Sequence, residues 1–185
     1  QELIAYAQKN PDNLSYPSSG NGASSHLAGI LFNRMAGTKI MHIPYKGTGP
    51  ALNDLLGGQV SMSFTDILTA LPYIKAGKLR AIGLASAQRS DALPELPTLS
   101  EQGLKGYDVS VFFGIVAPKD TPADVVNTLN QAFKTALSHP AIDQTLRMHG
   151  IVEAQDKTPQ GLSTFITTEV PKWRELIQSA NVSID

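Results

Sequence analysis

The chain contains no cysteine, and this absence excludes disulfide bonds, thiolate metal sites and cysteine nucleophiles. It also has no excess of either charge: 15 basic and 16 acidic residues leave a formal net charge of -1, without a long basic run. A nucleic-acid-binding surface is therefore not expected. No apolar run reaches the roughly 18 residues that a membrane-spanning helix needs. No signal peptide is recognisable in the sequence.

Short apolar segments alternate with amphipathic ones along the 185 residues, a length sufficient for one large or two small domains with a hydrophobic core. The periodicity, with glycine and proline as punctuation, predicts helices over 1–9, 22–36, 50–56, 68–76, 122–137, 140–149 and 158–180. It predicts strands over 14–17, 39–45, 60–64, 79–86, 109–117 and 151–154. Residues 94–106 are predicted to form a loop with a short helix. Pro171 lies inside the last helix and should kink or split it. Alternating strands and helices indicate an α/β fold with a largely parallel sheet.

The composition changes near residues 115–122. Short βα units punctuated by glycine precede this point, and the chain is mostly helical after it. We interpret the change as a crossover between a domain of βα units over 1–114 and a mostly helical part over 115–185. The first residues, QELIAYAQKNP, have the pattern of an amphipathic helix without an N-cap. We therefore expect the sequence to begin part-way through a larger protein.

Two glycine-rich turns follow predicted strands, SSGNGASS at 18–25 and YKGTG at 45–49. In a parallel sheet such turns meet at the carboxyl ends of the strands, where ligands bind. Glycine lets the backbone approach a ligand closely, and a helix N-terminus offers unpaired N–H groups to an anion. The hydroxyl groups of Ser24 and Ser25 and the charge of Lys46 would assist. The alternative is that these residues only form turns and cap helices.

Other residues that carry chemistry are sparse. A serine hydrolase would use Ser24 or Ser25 with His26, although the GxSxG motif is absent. No HExxH motif and no paired spacing of histidine and carboxylate indicates a metal site. His42 lies in an apolar strand and is expected to be structural. Asp66 follows a strand and either contacts a ligand or caps the next helix.

Two longer blocks carry a family resemblance: YPSSGNGASSHLAGILFNRMAGTKIMHIPYKGTGPALNDLLGGQVSMSF and LPYIKAGKLRAIGLASAQRSDALPELPTLSEQGLKGYDVSVFFGIVAPKDTP. In the order and spacing of these blocks, and over essentially the whole chain, the sequence resembles the extracytoplasmic solute receptors of tripartite tricarboxylate transporters, the Bug-type receptors. The resemblance implies a periplasmic protein of periplasmic binding protein type II-like fold, whose two α/β domains close on a small carboxylate. It implies a receptor without enzymatic activity or cofactor, which delivers its ligand to the membrane components of the transporter.

The resemblance also implies a ligand site. Backbone amides and hydroxyl groups of the loops would hold the ligand carboxylate, with an aromatic side chain nearby. The corresponding residues are Ser18, Ser19, Gly20, Gly22, Ala23, Ser24, Ser25, His26, Tyr45, Lys46, Gly47, Thr65, Asp66 and Phe112. Phe112 and Phe113 are adjacent in a predicted strand and point to opposite faces, which predicts that one lies in the core and the other lines the cleft.

Receptors of this family begin with about a hundred residues, the size of a small domain, that this sequence lacks. The resemblance therefore implies one nearly complete domain and one partial domain. A homodimer that covers the exposed apolar surface is one expected consequence. The ligand is left open among dicarboxylates, tricarboxylates, amino acids and aromatic acids. Two other functions are also left open, the serine hydrolase and an effector-sensing regulatory domain.

Overall fold

The computed structural model describes residues 1–180 and residue 182, and its elements alternate as in an α/β protein. In chain order they are α1 (Glu2–Lys9), β1 (Ser15–Ser18), α2 (Ser24–Ala36), β2 (Met41–Pro44), α3 (Thr48–Leu56), α4 (Ile67–Lys75), α5 (Ala123–Leu137), α6 (Pro140–Met148) and α7 (Pro159–Ser179). Seven predicted helices are confirmed, with their ends within two residues of the predicted ones. The short helix predicted within 94–106 is wrong, because these residues form turns. Across residues 1–180, no helix combines the length and the apolar character that a membrane crossing requires.

The strands β1 and β2 form a parallel pair, in which Ser15 lies opposite Met41 and Ser18 lies opposite Pro44. Helix α2 connects them, so this part of the chain is the βαβ crossover that the alternating pattern predicted. All four residues of β1 are buried, and both α2 and α3 pack against this strand. Because the two strands run in the same direction, the loops that follow them leave the sheet at one edge.

Four predicted strands are wrong within the described residues: 60–64, 79–86, 109–117 and 151–154. A strand requires a repeated ladder of hydrogen bonds to a neighbouring backbone, and these segments lack it. The N–H of Ser61 reaches only the Ser15 carbonyl, at 3.2 Å, and Leu84 forms an isolated bridge with Thr98. Apolar β-branched residues favour an extended backbone, but propensity does not supply a partner strand.

The helix ends follow local chemistry. Gly37 ends α2 in the left-handed conformation, with φ of 62°, as its position predicted. Helix α3 begins two residues before the predicted start because Gly47, with φ of 109°, adopts an N-cap conformation that other residues disfavour. Helix α7 is not split at Pro171 and continues to Ser179. A proline removes one backbone hydrogen bond, and the remaining turns of this 21-residue helix stay intact.

The hydrophobic core lies between α1, α2 and the two strands, and it extends to the segment that ends near residue 109. Its buried members are Ala7, Tyr16, Ala28, Phe32, Ala36, Ile40, Leu104, Tyr107 and Val109. The rings of Tyr16 and Phe64 meet edge to face at 5.6 Å. The hydroxyl of Tyr107 donates to the carbonyl of Ala28 at 2.8 Å. The first contact holds β1 against the segment that contains Phe64, and the second holds α2 against the segment that contains Tyr107.

The second half of the chain is packed differently. Helices α5 and α6 contain no buried residue, and α7 contains one, Leu176. Apolar side chains are exposed between and along these helices, with Val116 at 78% and Val152 at 81%. Helix α7 contacts α2, and Trp173 packs partly buried against the core.

Candidate functional site

The loops that follow β1 and β2 are bonded to each other. The N–H of Tyr45 donates to the Ser18 carbonyl at 3.0 Å, and the N–H of Gly47 donates to the Ser19 carbonyl at 3.1 Å. These bonds continue the parallel pairing of the strands beyond their ends. As a result, the N-termini of α2 and α3 open on the same edge of the sheet, as the two glycine-rich turns predicted.

The first loop is braced by its own side chains. Ser18 is 1% exposed, and its Oγ donates to the Gly20 carbonyl at 3.0 Å and accepts from the Gly20 N–H at 3.2 Å. The N–H of Ser19 donates to Ser25 Oγ at 3.1 Å. Gly20 has φ of 145°, a conformation that a larger residue disfavours. Ser18 therefore shapes the loop from beneath, while Ser24 is exposed at the start of α2.

Both helix N-termini that border the loops lack a side-chain cap. The N-cap residues are Ala23 for α2 and Gly47 for α3, and neither has a side chain that bonds to the first turn. The first N–H groups of a helix have no partner within the helix, and the helix dipole gives them a partial positive charge. Two adjacent uncapped N-termini can therefore donate hydrogen bonds to a negatively charged ligand.

Two histidines stand behind the first loop. The rings of His26, on α2, and His42, on β2, are stacked with centroids 3.7 Å apart and planes 10° apart. Nδ1 of His26 accepts from the Gly22 N–H at 3.1 Å, and Nε2 of His42 lies 2.6 Å from Ser18 Oγ. Burial lowers the pKa of His26. Burial, with the neighbouring His26, lowers the pKa of His42 to about 4. Both rings are therefore neutral near pH 7.

The second loop brings Tyr45 and Lys46 to the rim of the site. The hydroxyl of Tyr45 donates to Asp54 Oδ2 at 2.6 Å, and this hydrogen bond raises the pKa of Tyr45. The side chain is thus bonded to α3. Lys46 is exposed, and within the described residues no ion pair at 4.0 Å or less involves it. Its charge is available to an approaching anion.

The segment after Phe64 carries two further predicted site residues, Thr65 and Asp66. Asp66 caps α4: its Oδ1 accepts from the Thr69 N–H at 2.8 Å, and its Oδ2 accepts from Thr69 Oγ1 at 2.9 Å. Of the two roles that the sequence left open for Asp66, the structure contains the helix cap. The Oγ1 of Thr65 is buried and has no hydrogen-bond partner among the described residues. A buried hydroxyl without a partner is costly.

Phe112 is placed apart from these groups. It is 51% exposed and Phe113 is 76% exposed, so the prediction that one of the two lies in the core is wrong. An extended backbone alternates its side chains, but the segment from Ser110 to Asp120 is exposed along its whole length and neither face meets the core. Phe112 packs edge to face on Phe165 of α7 at 4.8 Å. With Trp173 and other α7 side chains it borders an open cavity of about 500 Å³.

The structure thus brings together the predicted residues of the two loops. His42 was expected to be structural, and it stacks on His26 and contacts Ser18 Oγ; sequence reasoning did not place it beside the first loop. Its position two residues before Pro44 on the same strand places both on one face, and this was the available signal. Among the residues described, no group of three or more histidine, aspartate or glutamate side chains is arranged to hold a metal ion.

The family model described as the tripartite tricarboxylate transporter family receptor matches residues 1–182, and the chain belongs to that family. A solved structure of Rpa4515 from R. palustris with adipate is 31% identical, with a TM-score of 0.91 over 98% of this chain and 60% of that one. The periplasmic binding protein BugD is 37% identical, with a TM-score of 0.88 over 98% and 61%.

A third solved structure, MatC from Rhodopseudomonas palustris with bound malate, is 31% identical, with a TM-score of 0.85 over 95% of this chain and 60% of that one. The fold is therefore that of the periplasmic binding proteins of this family. The chain spans about 60% of these solved chains and 52% of the length of two curated relatives that are 37% identical to it.

Proposed function

We propose that this chain is the ligand-binding part of an extracytoplasmic receptor that captures a small carboxylate for a tripartite transporter. One observation carries the proposal: the uncapped N-termini of α2 and α3 border two loops that are bonded to each other through Tyr45 and Gly47. The two oxygens of a carboxylate can accept from both N-termini at once. Thr65 and Lys46 would add a hydroxyl and a positive charge.

The size of these interactions indicates what else the receptor needs. A hydrogen bond to a charged group contributes about 1.5–3 kcal/mol. Two or three of them offset only part of the roughly 4–15 kcal/mol that association costs in lost translational and rotational freedom. The remainder has to come from burying the rest of the ligand. This requirement agrees with closure of a second domain over the site, which 115–185 would form in part, and ligand binding would favour the closed state.

Among the ligand classes that the sequence left open, dicarboxylates are favoured. The structures of two relatives contain adipate and malate, which share two carboxylate groups and differ in length. Loop amides that recognise one carboxylate are compatible with either acid, so the rest of the cleft would select the ligand. We further propose a periplasmic location, as for BugD, with the membrane components of the transporter as partners.

The contacts of the serine and histidine side chains fit a binding site better than a catalytic one. A hydrolase would need an imidazole bonded to Ser24 or Ser25, but among the described contacts His26 uses Nδ1 for the Gly22 N–H, and Ser25 contacts Ser19. The serine that does contact an imidazole, Ser18, is too deeply buried to reach a substrate. Carboxylate capture needs no covalent step and no cofactor.

Titration calorimetry of the 185-residue chain at pH 7.5 with adipate, malate and the uncharged adipamide tests the proposal. We expect at least one diacid to bind and adipamide not to bind. Lys46→Ala should weaken diacid binding by about threefold, as loss of one exposed charge predicts, while Lys105→Ala, an exposed lysine on another loop, should not. Failure of both diacids would contradict the capture of dicarboxylates, and equal binding of adipamide would contradict recognition of the carboxylate groups. Ester hydrolysis that disappears in His26→Ala would indicate the hydrolase instead.

A further inference from the structure

The stacked histidines link the elements that surround the first loop. His26 belongs to α2, His42 belongs to β2, and the ring of Tyr16 on β1 lies 5.2 Å from that of His42. From this stack one hydrogen bond reaches Gly22, near the end of the loop, and one polar contact reaches Ser18, at its beginning. The loop that presents its backbone to the ligand is thus held at both ends by imidazole nitrogens.

The bond from Gly22 fixes the protonation state of His26. A backbone N–H can only donate, so Nδ1 of His26 has to accept and cannot carry a proton. The ring is therefore neutral, with its proton on Nε2. A second proton would place two donors face to face, Gly22 N–H and His26 Nδ1–H, and the bond would be lost. The same proton would put a positive charge against the ring of His42, 3.7 Å away.

The surroundings of the two histidines disfavour a second proton on either ring. Burial lowers the pKa of His26 and burial contributes most to the low pKa of His42. Burial raises the pKa of Tyr16 to about 12, so the third ring carries no compensating charge. The charged groups on the neighbouring elements are turned elsewhere or exposed: Asp54 on α3 accepts from Tyr45, Asp66 on α4 accepts from Thr69, Lys46 is at the rim, and Glu175 on α7 pairs with Arg34.

We propose that His26 and His42 are positioning residues: as a neutral stacked pair they hold the 18–22 loop in its carboxylate-binding shape, and protonation of His26 releases the loop. The inference rests on the proposed function, because it assigns to carboxylate binding a dependence on pH that comes from the protein and not from the ligand. The loop amides contact the ligand, and the histidines act through the loop.

The first test needs no ligand. Nitrogen-15 spectra of the histidine-labelled chain near pH 7.5 should show His26 protonated on Nε2 and bare on Nδ1. On acidification, the amide resonance of Gly22 should move with the same midpoint as the His26 ring. A His26 ring protonated on Nδ1 at pH 7.5, or a Gly22 amide that ignores the titration of His26, would overturn the inference.

The second test measures adipate and malate binding by calorimetry at about pH 7.5 and pH 5. His26→Leu removes the acceptor and should weaken binding at both pH values. His26→Asn keeps an acceptor at the position of Nδ1 without a titrating group, so it should recover part of the loss. The wild-type protein should lose about tenfold more affinity on acidification than His26→Asn. The comparison cancels protonation of the diacid itself, which affects both proteins equally.

The controls separate the two proposals. His149→Asn changes an exposed histidine after α6 and should behave as the wild type at both pH values. Acid sensitivity that is equal in the wild type and in His26→Asn would overturn the positioning role and leave carboxylate capture standing. Absence of binding at pH 7.5 in the wild type would overturn carboxylate capture and the pH dependence with it, whatever the spectra show. Circular dichroism identifies any variant that fails to fold.

Discussion

Replacing Gly29 by alanine should destabilise the protein, although helix propensity alone predicts the opposite. Gly29 lies in the middle of α2, where alanine is favoured over glycine by about 1 kcal/mol. In the structure, however, a Cβ at this position would lie 2.6 Å from the Tyr16 hydroxyl and even closer to the ring. Tyr16 is 1% exposed and is confined by the rings of Phe64 and His42. Any movement of the ring would disturb these two contacts.

The magnitude follows from two opposing contributions. Forcing an extra methyl group into a well-packed core typically costs about 1–3 kcal/mol, and a ring held by these contacts places this case at the upper end. After the propensity gain, we expect a net loss of about 1–2 kcal/mol in the free energy of unfolding. For a chain of this size that corresponds to a fall in Tm of about 2–8 °C. Thermal unfolding followed by circular dichroism measures it.

The matched control is Gly49→Ala in α3, where no atom lies within 4 Å of the new Cβ. There the propensity term acts alone, and stability should rise by about 0.5 kcal/mol. In a Tyr16→Leu background, Gly29→Ala should lose its penalty, because the two residues interact directly. A Gly29→Ala protein that melts at or above the wild-type temperature would refute the reasoning, since it would mean that the Tyr16 ring does not occupy this position.

Three further outcomes are expected. Tyr107→Phe should lower the free energy of unfolding by about 1 kcal/mol in urea titrations, because the buried hydroxyl donates to Ala28. Thr65→Val should leave stability unchanged or raise it by up to about 1 kcal/mol, since the threonine hydroxyl has no partner among the described residues. The same change should weaken adipate binding about tenfold, and unchanged binding would remove Thr65 from the site. The free energy of unfolding should fall by about 2 kcal/mol between pH 6.5 and about 4, after allowing for solvent screening. The reason is that the unfolded chain takes up protons in this range that the folded His26 and His42 resist. A flat pH profile would contradict the buried pair.

The helices and the βαβ crossover could be predicted because their signals are local. Amphipathic periodicity, the proline after α1 and the glycine at 37 act within a few residues of the element that they define. The failed strands illustrate the limit. The segment 109–117 has the composition of a strand, but within the described residues no neighbouring backbone forms a ladder with it. Pairing depends on residues far away in the chain, which a local pattern does not contain.

Some features of the candidate site could likewise be predicted from the sequence, and others could not. Residues 18–26 and 45–47 could be predicted because glycine, serine and a following helix start are visible in the sequence. The role of His42 could not, since it depends on the register that places β2 beside β1 and so brings the ring over His26 and Ser18. The sequence shows that Asp66 is a hydrogen-bond acceptor after a predicted strand, but it does not decide between a ligand contact and a helix cap. Its bonds to Thr69 are visible only once α4 is built.

By itself, the sequence determined the family, the position of the seven helices and the two loops that end the parallel strands. Those features depend on side-chain chemistry within one turn or one element. The tertiary structure alone decided the protonation state of His26, the missing partner of Thr65 and the sign of the effect of an alanine at Gly29. Each of these is set by atoms from distant parts of the chain meeting in a space from which water is largely excluded, where one proton or one methyl group reverses the balance of energies.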